Sequence, residues 1–328
     1  MKKIITAVLL LAMAITVAVS GTALAADVEV DPESDLGKGI ACYRAGDYDK
    51  AFEYFTACAE ENDFIAQRNL GIMYFTGTGV EQNYDTAAYW FEFAYKQGDG
   101  KAATNLGWIY EHGAGRVQDY EKAFEFYTFG AEQNVPEAQC NLGWMCETGE
   151  GVEQDLEKAF ELYTLSAENG CAIAQYNLGC MYDEGKFVEQ DFKKAMEWYM
   201  KAAEQEYSFA EYNIGWLYVN GRGVEEDLTT AAEWFTLAAE HGNSDARFVI
   251  GDMYYTGVEG GVSQDYDKAL VWLTLAAEQG DPNAQYELAE MYENGYGVEQ
   301  DSEKAAEFYA LAAGQGDEDA AAALEALK

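Results

Sequence analysis

Six cysteines and two histidines carry most of the reactive chemistry open to this 328-residue chain: Cys42, Cys58, Cys140, Cys146, Cys171 and Cys180, with His112 and His241. Thiols pair as disulfides, bind soft metals or act as nucleophiles, and their spacing decides which. No C-x-x-C pair and no Cys/His cluster occurs, so zinc has no ligand framework and no metal is expected. Cys140 and Cys146 fall in one expected helix and face different ways, so they should not pair. Cys42 and Cys58 sit in the two arms of one expected helical hairpin, and a disulfide is expected there. The other four cysteines fall in two consecutive repeating units, where bonds would staple those units together. Thiols packed as small apolar residues are the alternative.

Catalytic constellations are missing. The chain has no H-E-x-x-H, G-x-S-x-G, G-x-x-x-x-G-K-[ST] or S-x-x-K motif, and its two histidines fall in different repeats. Acidic residues recur at loop and helix-start positions, where capping and solvation account for them, and they lack the spacing of a calcium loop. The expectation is therefore a chain that is not an enzyme and takes no cofactor. Asp plus Glu number 59 against 20 Lys plus Arg, a formal net charge of −39. Phosphate recognition needs clustered cations, so nucleic acid is excluded as a partner class.

The elements that hold these residues are set by an internal period. Alanine opens successive units at Ala66, Ala102, Ala138, Ala174, Ala210, Ala246, Ala284 and Ala320, each 36 residues after the last except for one spacing of 38. Two extra residues in the loop 257–262 explain the exception. Asn follows three residues after the first five openings, as at Asn105, then Gly two residues later, as at Gly107. Tyr recurs beyond it, as at Tyr110. Each unit reads as two helices. The first ends at a glycine suited to a left-handed cap, such as Gly113. A Gly-Val-Glu-Gln-Asp loop follows, whose Asp N-caps the second helix, as expected at Asp119, Asp155, Asp191, Asp227, Asp265 and Asp301, with Asn83 substituting once. The second helix carries apolar residues at i, i+3, i+4 and i+7, as in Ala231, Trp234, Phe235 and Ala238.

Before the repeats stands a different kind of segment. Met1-Lys2-Lys3, the uncharged apolar run 4–19 and Ala23-Leu24-Ala25 have the three parts of a secretory leader, so residues 1–25 are expected to be a cleaved signal peptide. No Cys follows the leader, which disfavours a lipid anchor. The mature chain is expected to be exported, periplasmic or extracellular, without stable membrane insertion, and monomeric. Export makes disulfides chemically permissible.

The runs Ala-Gln-Tyr-Asn-Leu-Gly-Cys-Met-Tyr (174–182), Gly-Val-Glu-Gln-Asp (151–155) and Ala-Ala-Glu-Gln-Gly-Asp (276–281) resemble the Sel1-like repeat family, of the tetratricopeptide class. The resemblance implies an all-α fold, an α/α superhelical solenoid of helical hairpins. It covers 66–317 as seven repeats: 66–101, 102–137, 138–173, 174–209, 210–245, 246–283 and 284–317. Residues 26–34 read as a short linker. Residues 35–65 lack the Gly-Val-Glu-Gln segment and resemble a plain tetratricopeptide hairpin serving as an N-terminal cap. Residues 318–328 restart a first helix and read as a C-terminal cap.

Such solenoids bind through the groove lined by their first helices, which implies a protein or peptide partner. Three rows are expected to face it. Trp108, Trp144 and Trp216 follow the repeat Gly, with Cys180 interrupting. Tyr176, Tyr212, Phe248 and Tyr286 precede the repeat Asn position. Glu111, Glu147, Asp183 and Glu293 follow the repeat Tyr. Aromatic patches rimmed by carboxylates suit a cationic peptide. The repeat Asn residues are expected to be structural, holding loop backbone. The resemblance also brings two other readings: a β-lactam or cell-wall hydrolase or binder of the cysteine-rich Sel1-like type, and a secreted effector that binds a host protein.

Overall fold

A computed structural model describes residues 30–327, and the leader expected over 1–25 lies outside them. Among the described residues there are seventeen α-helices and no strand. The chain divides into two compact units, Met1–Asn177 and Leu178–Lys328. The first holds α1 (Asp35–Arg44), α2 (Tyr48–Glu60), α3 (Phe64–Thr76), α4 (Tyr84–Lys96), α5 (Gly100–His112), α6 (Tyr120–Glu132), α7 (Pro136–Thr148) and α8 (Leu156–Glu168). The division falls within α9 (Ala172–Glu184). The second unit continues with α10 (Phe192–Ala203), α11 (Ser208–Asn220), α12 (Leu228–Glu240), α13 (Ser244–Thr256), α14 (Tyr266–Glu278), α15 (Pro282–Asn294), α16 (Ser302–Gly314) and α17 (Glu318–Ala326). None of the described helices is long and apolar enough to cross a membrane.

Within each unit, odd and even helices pair as hairpins and each even helix packs on the next odd one. The result is an α/α solenoid, as expected. The repeat alanines explain how they pack. Ala102 and Ala138, which open first helices, and Ala123 and Ala159, on second helices, are all fully buried, so helix backbones approach closely there. The repeat glycine admits an aromatic ring from its hairpin partner. A Cβ on Gly107 would lie 2.5 Å from Tyr127 Cε1, and one on Gly215 would lie 2.6 Å from Phe235 Cε1. Both rings are fully buried, so a ring packed against the glycine backbone closes these hairpins, whereas in α13 and α14 Leu273 takes the place of the ring against Gly251 and in α15 the glycine is Ala289.

The loops obey the local rules that the sequence sets. Gly113 ends α5 in the left-handed region at φ 64°, and its N–H reaches Ile109 O. Asp119 then caps α6, accepting from Lys122 N at 3.0 Å, and Asp155 caps α8, accepting from Lys158 N at 2.9 Å. Asn83 does the same for Thr86 N at 2.9 Å. In the longer loop after α13, Val258 N donates to Val262 O at 2.8 Å, closing a small turn that absorbs the two additional residues. At the N-terminal end only residues 45–47 join α1 to α2, without the longer loop of the later hairpins. Ser34, at the end of the expected linker, N-caps α1. At the other end α17 packs on α16 through Ala320.

The cysteines require a correction. All six are thiols, and no disulfide joins any of them. Cys42 lies near Lys50 at the start of α2, whereas Cys58 lies near Asp35 at the start of α1 and Asp63 beyond the end of α2. Asp35 and Cys42 are seven residues apart, about 10 Å of helix, so the antiparallel hairpin puts the two thiols at opposite ends. A disulfide needs Cα atoms within about 7 Å, and the expected Cys42–Cys58 bond does not meet that. Cys140 and Cys146 do face different ways: Cys140 meets Cys171, and Cys146 lies near Asp155 and Lys158.

Candidate partner-binding face

Odd helices are enclosed on most sides, so few of their positions reach solvent. In the first unit α5 packs against α4, α6 and α7. Of its residues only Lys101, Trp108, Tyr110 and His112 are more than slightly exposed. Positions 101, 108 and 112 are spaced by seven and four, a single stripe along one face of the helix. On α7 the corresponding stripe is Glu137, Trp144 and Thr148. The tryptophan row therefore stands at the centre of the narrow outward face of these helices.

Trp108 and Trp144 are half-buried, and so is Trp216 on α11 of the second unit. Trp108 sits edge-on to Phe75 with ring centroids 4.9 Å apart, and its other face stacks on His112 at 4.1 Å. Trp216 packs edge-on to Phe235 at 5.4 Å. Trp108 and Trp216 are thus held by neighbouring rings, and part of the surface of all three tryptophans remains open. At the same register on α13 and α15 the aromatic gives way to Asp252 and Glu290. Glu290 accepts from the Tyr255 hydroxyl at 3.2 Å and from that of Tyr286. Burial pushes both of these carboxyls above their ordinary range.

The other two rows do not form a groove lining. Tyr176, Tyr212 and Phe248 are buried between elements, and only Tyr286 is half-exposed, edge-on to Tyr309 at 5.5 Å. Within a unit this position faces the next repeat: at the same register Arg68 reaches across to Asp99 at 2.7 Å, with both side chains buried. The carboxylates turn inward to their own hairpin partners. Tyr163 donates to Glu147 at 2.7 Å, Tyr199 to Asp183 at 3.3 Å and Tyr309 to Glu293 at 2.7 Å. Glu111 is similarly bound by Tyr127, and burial pushes its carboxyl up to about 7, with the Tyr127 hydrogen bond opposing and the Glu150 charge adding.

The repeat asparagines also differ from expectation. Asn69, Asn105, Asn141 and Asn177 are buried and Asn213 is partly so, with Asn141 donating to Tyr127 and Asn177 Nδ2 lying 4.0 Å from Cys140 Sγ. The loop backbone is held instead by the glutamine before each cap. Gln118 Nε2 donates to Glu111 O at 2.7 Å, Gln154 to Glu147 O at 2.8 Å and Gln300 to Glu293 O at 2.7 Å. The recurrence of Gln one residue before every Asp, apart from Glu226, was the available signal. The histidines are apart in role too: His112 stacks on Trp108, while His241 Nδ1 lies 2.8 Å from the buried Glu211 and ties the end of α12 to α11.

Comparison with known proteins accords with this geometry. A model of the Sel1 repeat matches residues 36–63, 65–99, 100–135, 136–171, 172–207, 208–243, 244–281 and 282–317. Its first match is the hairpin that lacks the long loop, so the family extends to it as well. No curated protein matches the chain. Among solved structures, the chain is similar to c5321, a protective antigen present in uropathogenic Escherichia coli strains displaying an SLR fold. The two are 36% identical over 84% of this chain and 59% of that one, with a TM-score of 0.74. The chain thus spans about three fifths of that relative's length. It is also similar to a Sel1 repeat protein from Oxalobacter formigenes, 32% identical over 90% of this chain and 88% of that one, with a TM-score of 0.68. Hairpins closed by an aromatic ring on glycine, loops pinned by Gln and Asp, and eight matched units together place this chain in the Sel1 repeat family.

Proposed function

We propose that this chain is a non-enzymatic scaffold that docks a protein or peptide on the outward stripes of its odd helices. The observation that carries this reading is the tryptophan row. Trp108 and Trp144 are half-exposed at the centre of the narrow outward stripes of α5 and α7, with Trp108 held between Phe75 and His112. Rigid aromatics held in that way are the usual energetic anchors of protein interfaces. Glu137 on the same stripe of α7 as Trp144, and a formal charge of −39, favour a partner segment carrying Lys or Arg. The leader-like residues 1–25 support action outside the cytoplasm.

The test compares the wild-type chain with Trp108→Ala/Trp144→Ala in cross-linking capture from the native organism, followed by binding of the captured segment as a synthetic peptide. Helical content should be unchanged by circular dichroism, and peptide affinity should fall at least about tenfold, the loss of one modest hot spot. Equal affinity for the double variant would overturn the assignment of this face. In cells, fusion of residues 1–30 to a reporter active only outside the cytoplasm tests the export reading. A silent fusion counts against it.

A further inference from the structure

Cys140 and Cys171 stand 31 residues apart, the register at which one hairpin's first helix meets the start of the next. The same register holds Arg68 and Asp99, bonded at 2.7 Å, and Thr104 and Val135. In this pair both members are thiols, and the register that brings Arg68 to Asp99 brings them together, with Cys140 on the donor side and Cys171 Sγ on the acceptor side. Their surroundings are unequal. Cys140 is 1% exposed on α7, under Asn177 Nδ2, whereas Cys171 is partly exposed at the residue preceding α9. Cys171 O accepts from Gln175 N at 2.9 Å and its Sγ accepts from Ala174 N, so the sulfur occupies the N-cap of a thirteen-residue helix. Cys171 N in turn donates to Ser166 O at 3.1 Å, which fixes the approach from α8.

We propose that Cys140 and Cys171 form a redox-active dithiol that takes a low-molecular-weight disulfide as its substrate and closes to an intramolecular disulfide. Cys171 is the attacking sulfur and Cys140 the resolving one. The Cys171 thiolate attacks one sulfur of R–S–S–R, forming a Cys171–S–S–R bond and breaking the external S–S bond. The departing RS⁻ takes up the proton that Cys171 released. Cys140 then gives up its proton and attacks Cys171 Sγ, expelling the second RS⁻, which is protonated in turn. Two protein thiols are oxidised to one disulfide, and one external disulfide is reduced to two thiols.

The asymmetry of the pair fits these roles. The hydrogen bond from Cys140 holds the Cys171 thiol down to about 7 against its burial, with the Ala174 N–H adding to the effect and the Glu137 carboxylate opposing it. The same hydrogen bond and burial push Cys140 well above the usual thiol range. A thiolate is thus available near neutral pH at the less enclosed of the two sulfurs, and the fully buried one stays protonated until the mixed disulfide forms. Closure covalently ties α7 to the start of α9 across α8.

The experiment equilibrates the reduced full-length chain with glutathione disulfide and glutathione, followed by alkylation, intact mass and peptide mapping. The expected result is loss of two hydrogens and a linked Cys140–Cys171 peptide. With iodoacetamide at pH 7, Cys171 should react about tenfold faster than Cys140. Cys140→Ser should accumulate glutathione on Cys171, while Cys171→Ser should leave Cys140 unbridged and unmodified. A chain with Cys42, Cys58, Cys146 and Cys180 all replaced by Ser should still close the bridge. Retention of both thiols in excess glutathione disulfide, or a bridge mapped to other cysteines, would overturn the proposal. The wild-type mapping decides it even where a serine variant fails to fold.

Discussion

Tyr127 donates its hydroxyl to Glu111 Oε2 at 2.5 Å, with the tyrosine fully buried on α6 and the glutamate 5% exposed on α5. The bond joins the two arms of one hairpin across sixteen residues. Tyr163–Glu147 and Tyr309–Glu293 repeat it, so a row that reads as an acidic rim is an interior fastening.

This fastening has a pH signature. Burial raises the Glu111 carboxyl from 4.5 to about 7, so folding favours the protonated form. Its contribution is fully present below the unfolded value near 4.5 and is lost as pH rises through about 7. Glu111→Gln keeps an acceptor for Tyr127 and removes the ionisation. Between pH 5 and pH 8 the variant should gain about 2 kcal/mol on the wild type. Urea unfolding at the two pH values measures it, and a constant difference would show that Glu111 does not titrate in this range.

The ring-on-glycine contact predicts opposite signs for one substitution. Gly107→Ala places Cβ against the fully buried Tyr127 ring and should destabilise the chain by about 1–3 kcal/mol. Gly314→Ala, at the end of α16 with nothing within 4 Å of the new Cβ, should be neutral or stabilise by up to about 1 kcal/mol. Thermal unfolding of the two variants side by side separates packing from helix propensity.

Arg68 and Asp99 form a buried ion pair, and Asp99 also caps α5 by accepting from Lys101 N and Ala102 N. Asp99→Ala leaves a buried guanidinium without its partner and an uncapped helix, a loss of about 3–5 kcal/mol. Arg68→Met/Asp99→Asn removes both charges while keeping the cap acceptor, and should recover most of that loss. Failure of the double variant to recover would locate the loss in packing rather than charge.

Loop pinning divides between two side chains. Gln154→Ala loses the bond to Glu147 O and should cost about 1 kcal/mol. Asp155→Ala loses the cap of α8 and should cost about the same. Asp155→Asn should be almost silent, because Asn83 already performs that task at α4. Denaturant midpoints rank the three, and a large effect of the Asn change would mean that charge at this helix start matters more than capping.

The parts of the fold that were legible in sequence are those governed by short-range rules. Gly113 and Asp119 announce a helix end and a helix start through backbone conformation and capping, and a regular period of 36 carries the same hairpin along the chain. The facing of each row was less accessible. Trp108, Glu111 and Thr104 lie within two turns of one helix, and which of them meets solvent depends on where α4, α6 and α7 press against it. That is a property of packing between hairpins, invisible to periodicity. Tyr212 and Phe248 are large apolar residues at a register whose neighbour is the next repeat, so they fill an interface instead of lining a groove. The thiols show the same limit: Cys42 and Cys58 share a hairpin yet lie at its opposite ends, while Cys140 and Cys171 meet across two helices.

The bonds that fasten this chain are short in sequence: three residues from Asp155 to Lys158, seven from Glu147 to Gln154, sixteen from Glu147 to Tyr163, and 31 from Arg68 to Asp99. Each closes a loop no longer than about one repeat, so ordering one unit requires little of the chain to have been ordered before it. A hairpin leaving the ribosome already contains its own caps, its pinned loop and its ring-on-glycine contact. It needs only the next first helix to cover its remaining apolar face. Assembly can therefore follow synthesis from one end, with contact order staying low however many repeats the array acquires.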